Sequence, residues 1–185
     1  MKLLNLTLLV LPSVYQPKED SFLMIKALNI KPKEKILEIG TGSGIIAIHC
    51  AKAGADVTAV DVNPHAVNST KINVGLNKIK VKVLKSDLFS NVSGKLKFDK
   101  IIFNPPYLPS DKKDRFYDIS YSGGKFGVEI TNKFLKEAPN FLKKDGEIYF
   151  ILSSLATGNI ILPYNIILKK KLGKETIFVC KSSFN

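Results

Sequence analysis

Hydrophobic positions along the chain alternate between the spacing of a helix face and short continuous apolar runs. Phe22, Leu23, Met24, Ile25 and Leu28 fall at near-helical spacing, which predicts a helix over 18–28. Residues 36–40 form an apolar run too short for a helix and read as a buried strand, followed by a glycine-rich turn and an apolar helix over 43–53 that Gly54 closes. A second strand is expected over 57–61, and Pro64 opens a helix running to Gly75 or Leu76. Lysine and valine alternate over 80–85, as in a half-exposed strand. Residues 98–103 form another apolar strand, entering Asn104-Pro105-Pro106-Tyr107, and a polar loop then reaches Gly124. A helix over 128–138, a turn at 143–146 and a strand over 147–152 follow. The stretches 165–172 and 176–181, joined at Gly173-Lys174, read as a hairpin, and 3–11 reads as a strand or an apolar arm.

Strands alternating with helices imply an α/β fold: a mostly parallel sheet with helices on both faces and an antiparallel hairpin at its C-terminal end. With 185 residues, 45% of them hydrophobic, and no repeat or linker, the chain is expected to form a single domain over 1–185. In such sheets ligands bind at the carboxyl ends of the strands. The polar clusters that interrupt the apolar pattern all lie there, so they bear on one site.

Composition then excludes several classes. No apolar run approaches the roughly 20 residues that cross a bilayer, and Asn5 and Thr7 interrupt the N-terminal run where a signal peptide would be continuous. Cys50 and Cys180 are too few for a disulfide framework and lack CxxC spacing, and His49 and His65 lack ligand spacing, so a cytoplasmic chain without its own metal site is expected. The net charge of +12 would attract nucleic acid or an acidic partner. However, Arg115 is the only arginine, and bidentate phosphate and guanine contacts favour arginine over lysine.

Two clusters carry the chemistry. The first is Glu38-Ile39-Gly40-Thr41-Gly42-Ser43-Gly44, a strand end passing through GxGxG into a helix; the spacing is not the GxGxxG of a dinucleotide site, because Ile45 stands where the last glycine would be. Asp61, ending the next strand, is spaced to accept hydrogen bonds from both ribose hydroxyls of an adenosine, or alternatively to cap the following helix, a task open to Asn63. After the third strand, Asp87 could accept an adenine amino group while Leu88 packs on the ring. Glu38 needs backbone amides or the positive part of a ligand to offset its burial in an apolar strand. The second cluster is Asn104-Pro105-Pro106-Tyr107. Prolines remove backbone donors and stiffen the chain, so the Asn104 side-chain oxygen and the Pro105 carbonyl can accept both hydrogens of one planar NH2 while Tyr107 stacks over it. Such a conjugated nitrogen is a poor nucleophile, and two acceptors on its protons concentrate charge on it.

In order and spacing, EIGTGSG, VTAVDVN, KSDLF and FNPPYLP resemble the motifs of class I S-adenosylmethionine-dependent methyltransferases, specifically the HemK-like glutamine methyltransferases of release factors. Tyr15, Pro17, Glu19 and Asp20 stand in a stretch similar to the VYxPxEDSFLL opening of the short archaeal and eukaryotic branch. That branch lacks the N-terminal helical domain of the bacterial enzymes, and here only 35 residues precede the first predicted strand.

The resemblance implies a Rossmann-like fold with a seven-stranded sheet, S-adenosyl-L-methionine as cofactor, and methyl transfer to the side-chain amide nitrogen of the GGQ glutamine in a class-1 release factor. It further implies a 1–30 segment that covers the cofactor and helps form the substrate pocket. Cofactor contacts are implied for Tyr15, Pro17, Glu19, Asp20, Glu38, Gly40, Gly42, Gly44, Asp61, Val62, Asp87, Leu88 and Asn104. Asn104, Pro105, Pro106 and Tyr107 are implied for catalysis and acceptor binding. A small zinc-binding activator protein is the implied partner, pairing along the edge strand at 80–85. The stretch 122–127 resembles the family's WxGGxDG loop, but departs from it at Tyr121, Ser122 and Phe126, which puts that loop's substrate contacts in question. NPPY chemistry also suits an exocyclic base amine, so an RNA or DNA methyltransferase is the alternative reading.

Overall fold

The structure, a computed structural model, describes residues 6–109 and 122–183. The expected arm at 3–11 therefore lies partly outside the described residues, as do Tyr121 and most of the polar loop that precedes it. In chain order the elements are α1 (Glu19–Ala27), β1 (Lys35–Ile39), α2 (Ile45–Lys52), β2 (Asp56–Asp61), α3 (Pro64–Leu76), β3 (Lys82–Lys85) and β4 (Phe98–Phe103), then the short β5 (Leu108–Pro109) and β6 (Ser122–Gly124). They continue with α4 (Glu129–Glu137), β7 (Leu142–Ser153), β8 (Asn165–Leu172) and β9 (Glu175–Ser183).

Seven strands form the main sheet in the order β3-β2-β1-β4-β7-β9-β8. The first five in that order run parallel, β9 pairs antiparallel to β7, and β8 completes the sheet antiparallel to β9. Strand order reverses between β1 and β4, with Ile39 beside Phe103, so the loops after these two strands leave the sheet as neighbours.

Central strands buried on both faces explain the continuous apolar runs. Leu37, Ile101 and Phe150 pack on one side with Phe134 and Leu135 of α4. Their neighbours Ile36, Ile102 and Ile151 pack on the other with Met24 of α1 and Ile45 and Cys50 of α2. The alternation is the two-residue period of a strand, here apolar at both phases.

Three features depart from the sequence expectations, and one alternative left open is decided. Residues 143–146 do not form a free turn but lie inside β7, where pairing with β4 jumps from Phe98 opposite Leu142 to Lys100 opposite Glu147. The Asp-Gly pair is accommodated as a bulge, with Asp145 at φ +60°. Of the two readings of the N-terminal stretch, residues 6–11 follow the arm: they join no strand and are hydrogen-bonded to Asn73 of α3 and to Asn77 at its C-terminal end. The edge strand begins at Lys82 rather than Lys80. The pairing of β5 with β6 had no clear signal in the sequence.

Candidate active site

The carboxyl ends of β1, β2, β3 and β4 open onto a cavity of about 950 Å³. That is at the upper end of the roughly 300–1,000 Å³ typical of small-molecule sites. Every residue that the sequence nominated for the site lines it except Glu19, Glu38 and Gly44. Glu19 is exposed at the start of α1.

The turn after β1 is held from two sides. Gly42 donates its backbone N–H to Asp61 Oδ2 at 2.9 Å, and Thr41 donates to the Val60 carbonyl at 3.0 Å. A Cβ on Gly42 would meet no protein atom within 4 Å, so this point of the loop is open. Gly44 serves a different purpose: at φ +82° it turns the chain into α2, and a Cβ there would lie 2.8 Å from Thr70.

Glu38 lies beneath the loop, 2% exposed. Its Oε2 accepts from the Thr41 hydroxyl at 2.6 Å and from the Ala47 N–H at 3.0 Å, one of the amides that the first turn of α2 leaves without an intrahelical partner. Burial, reinforced by the charge of Asp61, pushes its carboxyl up to about 8 despite these two hydrogen bonds. Of the two kinds of partner expected for it, Glu38 has the backbone amide.

Asp61 also accepts from the Asn63 N–H at 2.9 Å, and burial raises its pKa against the pull of its backbone donors. Asn63 caps α3 by accepting from the His65 N–H at 2.9 Å, which frees Asp61 from that duty. Asp87 is exposed and lies 3.4 Å from Lys133 of α4, a surface pairing worth little. Leu88 is buried at φ +46°, its carbonyl taking the Ser86 hydroxyl at 2.8 Å.

Across the crevice, Asn104 Oδ1 is buried with no hydrogen-bond partner, and Asn104 lines the cavity. Tyr107 donates its hydroxyl to Asp20 Oδ2 at 3.2 Å, and Tyr15 donates to the same oxygen at 2.8 Å. The single buried carboxylate of Asp20 thus joins the opening segment to the loop after β4, while its Oδ1 takes the Ser21 N–H. Burial, then the Asp20 charge, raise the Tyr107 pKa, so this phenol stays a hydrogen-bond donor.

Sequence reading did not anticipate the support for this loop. A Cβ on Gly123 would lie 2.7 Å from the Pro106 carbonyl oxygen, and one on Gly127 would lie 2.6 Å from that of Tyr107. Glycines at both positions let the 122–127 stretch press directly on the loop backbone. Glu129 fixes the stretch by accepting from the Phe126 N–H at 2.9 Å and the Val128 N–H at 3.1 Å. An acid following a glycine-rich stretch and opening an amphipathic helix was the available signal. Ile130 and Lys133 of α4, spaced i and i+3, complete the wall. Among the described residues no cluster of three or more His, Cys, Asp or Glu could hold a metal ion.

The site's motifs sit within a family pattern, methyltransferase small domain, that matches residues 5–185. A putative protein N5-glutamine methyltransferase of Methanocaldococcus jannaschii is 47% identical over 148 residues, 78% of this chain and 74% of that protein. The methyltransferase HEMK2 of Homo sapiens is 28% identical over 189 residues, 91% of this chain and 88% of its own. A solved methyltransferase from Pyrococcus furiosus, 23% identical, shares the fold with a TM-score of 0.70 over 97% of this chain and 89% of its own. A glycine loop and an NPPY loop facing one cavity from adjacent parallel strands are what a methyltransferase needs, and with the match running from the arm to the last strand this chain belongs to the methyltransferase small domain family.

Proposed function

We propose that this protein is an S-adenosylmethionine-dependent methyltransferase acting on the side-chain amide nitrogen of the GGQ glutamine of a class-1 release factor. The observation that carries the reading is the buried, unpartnered oxygen of Asn104 beside Pro105 on the cavity wall, taken with the 47% identity to a relative named for glutamine methylation. A buried acceptor without a donor costs about 1–3 kcal/mol, and an incoming N–H would relieve that cost.

The residues present fit the cofactor. Gly42 leaves open space where a side chain would intrude, and the two oxygens of Asp61 each hold one amide. A carboxylate has about four acceptor positions, and with the Val62 amide also bonded to it, acceptor capacity remains for a ribose hydroxyl. Asp87, bound only by a weak surface contact, is available to an adenine amino group, with Leu88 against the ring. Bound there, S-adenosylmethionine supplies an electrophilic methyl group.

The chain's own contribution is to orient the acceptor. Asn104 Oδ1 and the Pro105 carbonyl take the two N–H groups and fix the amide nitrogen in place, which supplies much of the rate through positioning and charge stabilisation. Tyr107, tethered to Asp20, offers its ring over the amide plane. No general base is required, because the proton leaves after the carbon–nitrogen bond has formed. Glu38, beneath the loop, is assigned to bracing it rather than to touching the cofactor.

The same reading takes 1–185 as one domain, located in the cytoplasm, with a small zinc-binding activator protein pairing along β3. Supporting the partner, β3 is an edge of the sheet, and Ile72 and Leu76 of the adjacent α3 are exposed. Among the described residues no helix is long and apolar enough to cross a membrane. The net charge of +12 favours the second reading, methylation of an exocyclic amine in RNA or DNA.

Labelled S-adenosylmethionine offered with release factor, total RNA or DNA separates the readings, each run with and without the activator. Label is expected on the release factor and not on a factor carrying Glu in place of the GGQ glutamine, whose carboxylate would face two carbonyl oxygens. Comparable labelling of nucleic acid, or label on the Glu form, would overturn the glutamine assignment; activity indifferent to the activator would overturn that partner.

A further inference from the structure

One face of α3 is polar where a core helix would be apolar. Ser69, Thr70 and Asn73 are each 0% exposed, and Asn77 continues the stripe one turn further. Their hydrogen bonds run to two segments far apart in sequence. Towards the glycine-rich loop, the Thr70 hydroxyl donates to the Gly42 carbonyl at 3.0 Å and Asn73 Nδ2 donates to the Ser43 carbonyl at 2.8 Å. Towards the arm, Asn73 Oδ1 accepts the Leu9 N–H at 2.7 Å and its Nδ2 donates to the Leu9 carbonyl at 2.9 Å. Ser69 donates to that same carbonyl at 2.8 Å, and Asn77 exchanges a pair of bonds with the Thr7 backbone.

Among the described residues, Asn73 is therefore the one side chain hydrogen-bonded to both the arm and the loop. The arm does not end there: Ser13, whose carbonyl accepts from Asn63 Nδ2 at 2.9 Å, and Val14 go on to line the cavity. Buried amides of this kind are costly unless all their partners stay in place. Loss of the arm would leave the Asn73 oxygen and the Ser69 hydroxyl without these partners and free the Asn73 amide to swing away from Ser43.

We propose that α3 couples the seating of the arm to the shape of the glycine-rich loop, with Asn73 as the positioning residue, so that an arm held on α3 raises affinity for the cofactor. This rests on the reading that S-adenosylmethionine binds at that loop. The coupling acts from behind the loop: Asn73, Thr70 and Leu9 do not line the cavity.

The test uses S-adenosylhomocysteine as the probe, with calorimetric affinity, amide hydrogen exchange over residues 40–44, and the split between the cofactor KM and kcat. Three variants probe the two sides. Ser69→Ala and Leu9→Pro each remove one bond to the arm and none to the loop. Asn73→Asp keeps the acceptor for Leu9 but loses both donated bonds. Each is expected to weaken binding about fivefold to tenfold, the effect of one net hydrogen bond. Loop exchange should quicken and the cofactor KM should rise, with kcat at saturating cofactor nearly unchanged. Leu9→Pro combined with Asn73→Asp should give less than the sum of the two effects. If Asn73→Asp does not fold, the two arm variants decide alone. Unchanged affinity and loop exchange in the arm variants, or a lowered melting temperature without loss of affinity, overturns the coupling. Failure of the wild-type protein to bind the probe at all would instead overturn the cofactor reading.

Discussion

Asn104 holds an energetic tension that a purely structural residue would not keep: a buried carbonyl oxygen with no donor in reach, on a chain segment stiffened by two prolines. Removing a partner from a satisfied pair destabilises, whereas removing an orphan relieves its desolvation cost. Asn104→Ala should thus lower kcat by about 10²–10³, the range seen when one preorganised hydrogen-bonding group is lost from a reacting centre. Affinity for S-adenosylhomocysteine should stay within about threefold, since one of many contacts is lost, and the melting temperature should hold or rise. Steady-state kinetics, calorimetry and a thermal scan check the three parts together. A fall in stability with little loss of turnover would show that Asn104 serves the fold rather than the reaction. Asp20 makes the contrasting case. Its oxygens are engaged by Tyr15, Tyr107 and Ser21, so in the proposed reaction its influence on the acceptor would run through Tyr107.

At the scale of elements, the 122–127 stretch decides how firmly the NPPY backbone is held. Gly127 sits at φ +78° with the Tyr107 carbonyl oxygen 2.6 Å from where a Cβ would stand. Gly127→Ala combines left-handed strain of about 1–2 kcal/mol with displacement of the Tyr107 backbone. It should destabilise the fold by about 2–4 kcal/mol and lower kcat, while cofactor affinity, set on the other side of the crevice, changes little. Chemical denaturation and the same kinetic assays measure both effects; a loss of cofactor affinity equal to the loss in kcat would contradict the division of labour between the two loops. Elements of this kind also mark how much was legible beforehand. Strands β1, β2 and β4 were legible because both faces are buried and their apolar runs end abruptly at glycine, aspartate and Asn-Pro. Their order was not in the pattern itself, because an apolar run does not say which neighbour covers it. The site residues at strand ends were legible for the same reason, since polar side chains interrupt apolar runs there. The stripe of Ser69, Thr70 and Asn73 was not, because small polar residues on a helix usually face water and only packing shows that these are buried. Nor was the bulge at Asp145, where the Asp-Gly pair carries the same local signal in a turn and in a strand that swells without ending.

For the molecule as a whole, the surface is lysine-rich while the interior keeps carboxyls, Glu38 above all and Asp61 beside it, whose pKa values burial raises. Glu38 is 2% exposed and titrates near 8 in the folded chain against 4.5 as its ordinary value. Between those two pH values the folded state holds a proton that the unfolded state has released, so folding takes up a proton and stability falls as pH rises. Below about pH 4.5 both states are protonated and this dependence vanishes. Asp61, also raised by burial, acts in the same direction as Glu38. For Asp99, Glu129 and Glu147 burial works upwards, but hydrogen bonds outweigh it and hold all three below their ordinary values, so they titrate under this range. His49, lowered by burial, favours the folded state as pH rises, but that gain levels off above its ordinary value of 6.5. From about pH 6.5 to 8 Glu38 therefore contributes a falling slope that approaches about 1.4 kcal/mol per pH unit, the limit for one proton. Denaturation midpoints of the cofactor-free protein across that interval should show a loss of about 1–2 kcal/mol. Glu38→Gln, which keeps an oxygen for Thr41 and Ala47 but cannot ionise, should flatten the curve. A wild-type stability that holds constant or rises over the interval, or a variant with an unaltered slope, would mean that Glu38 is ionised beneath the loop and that its two donors outweigh burial.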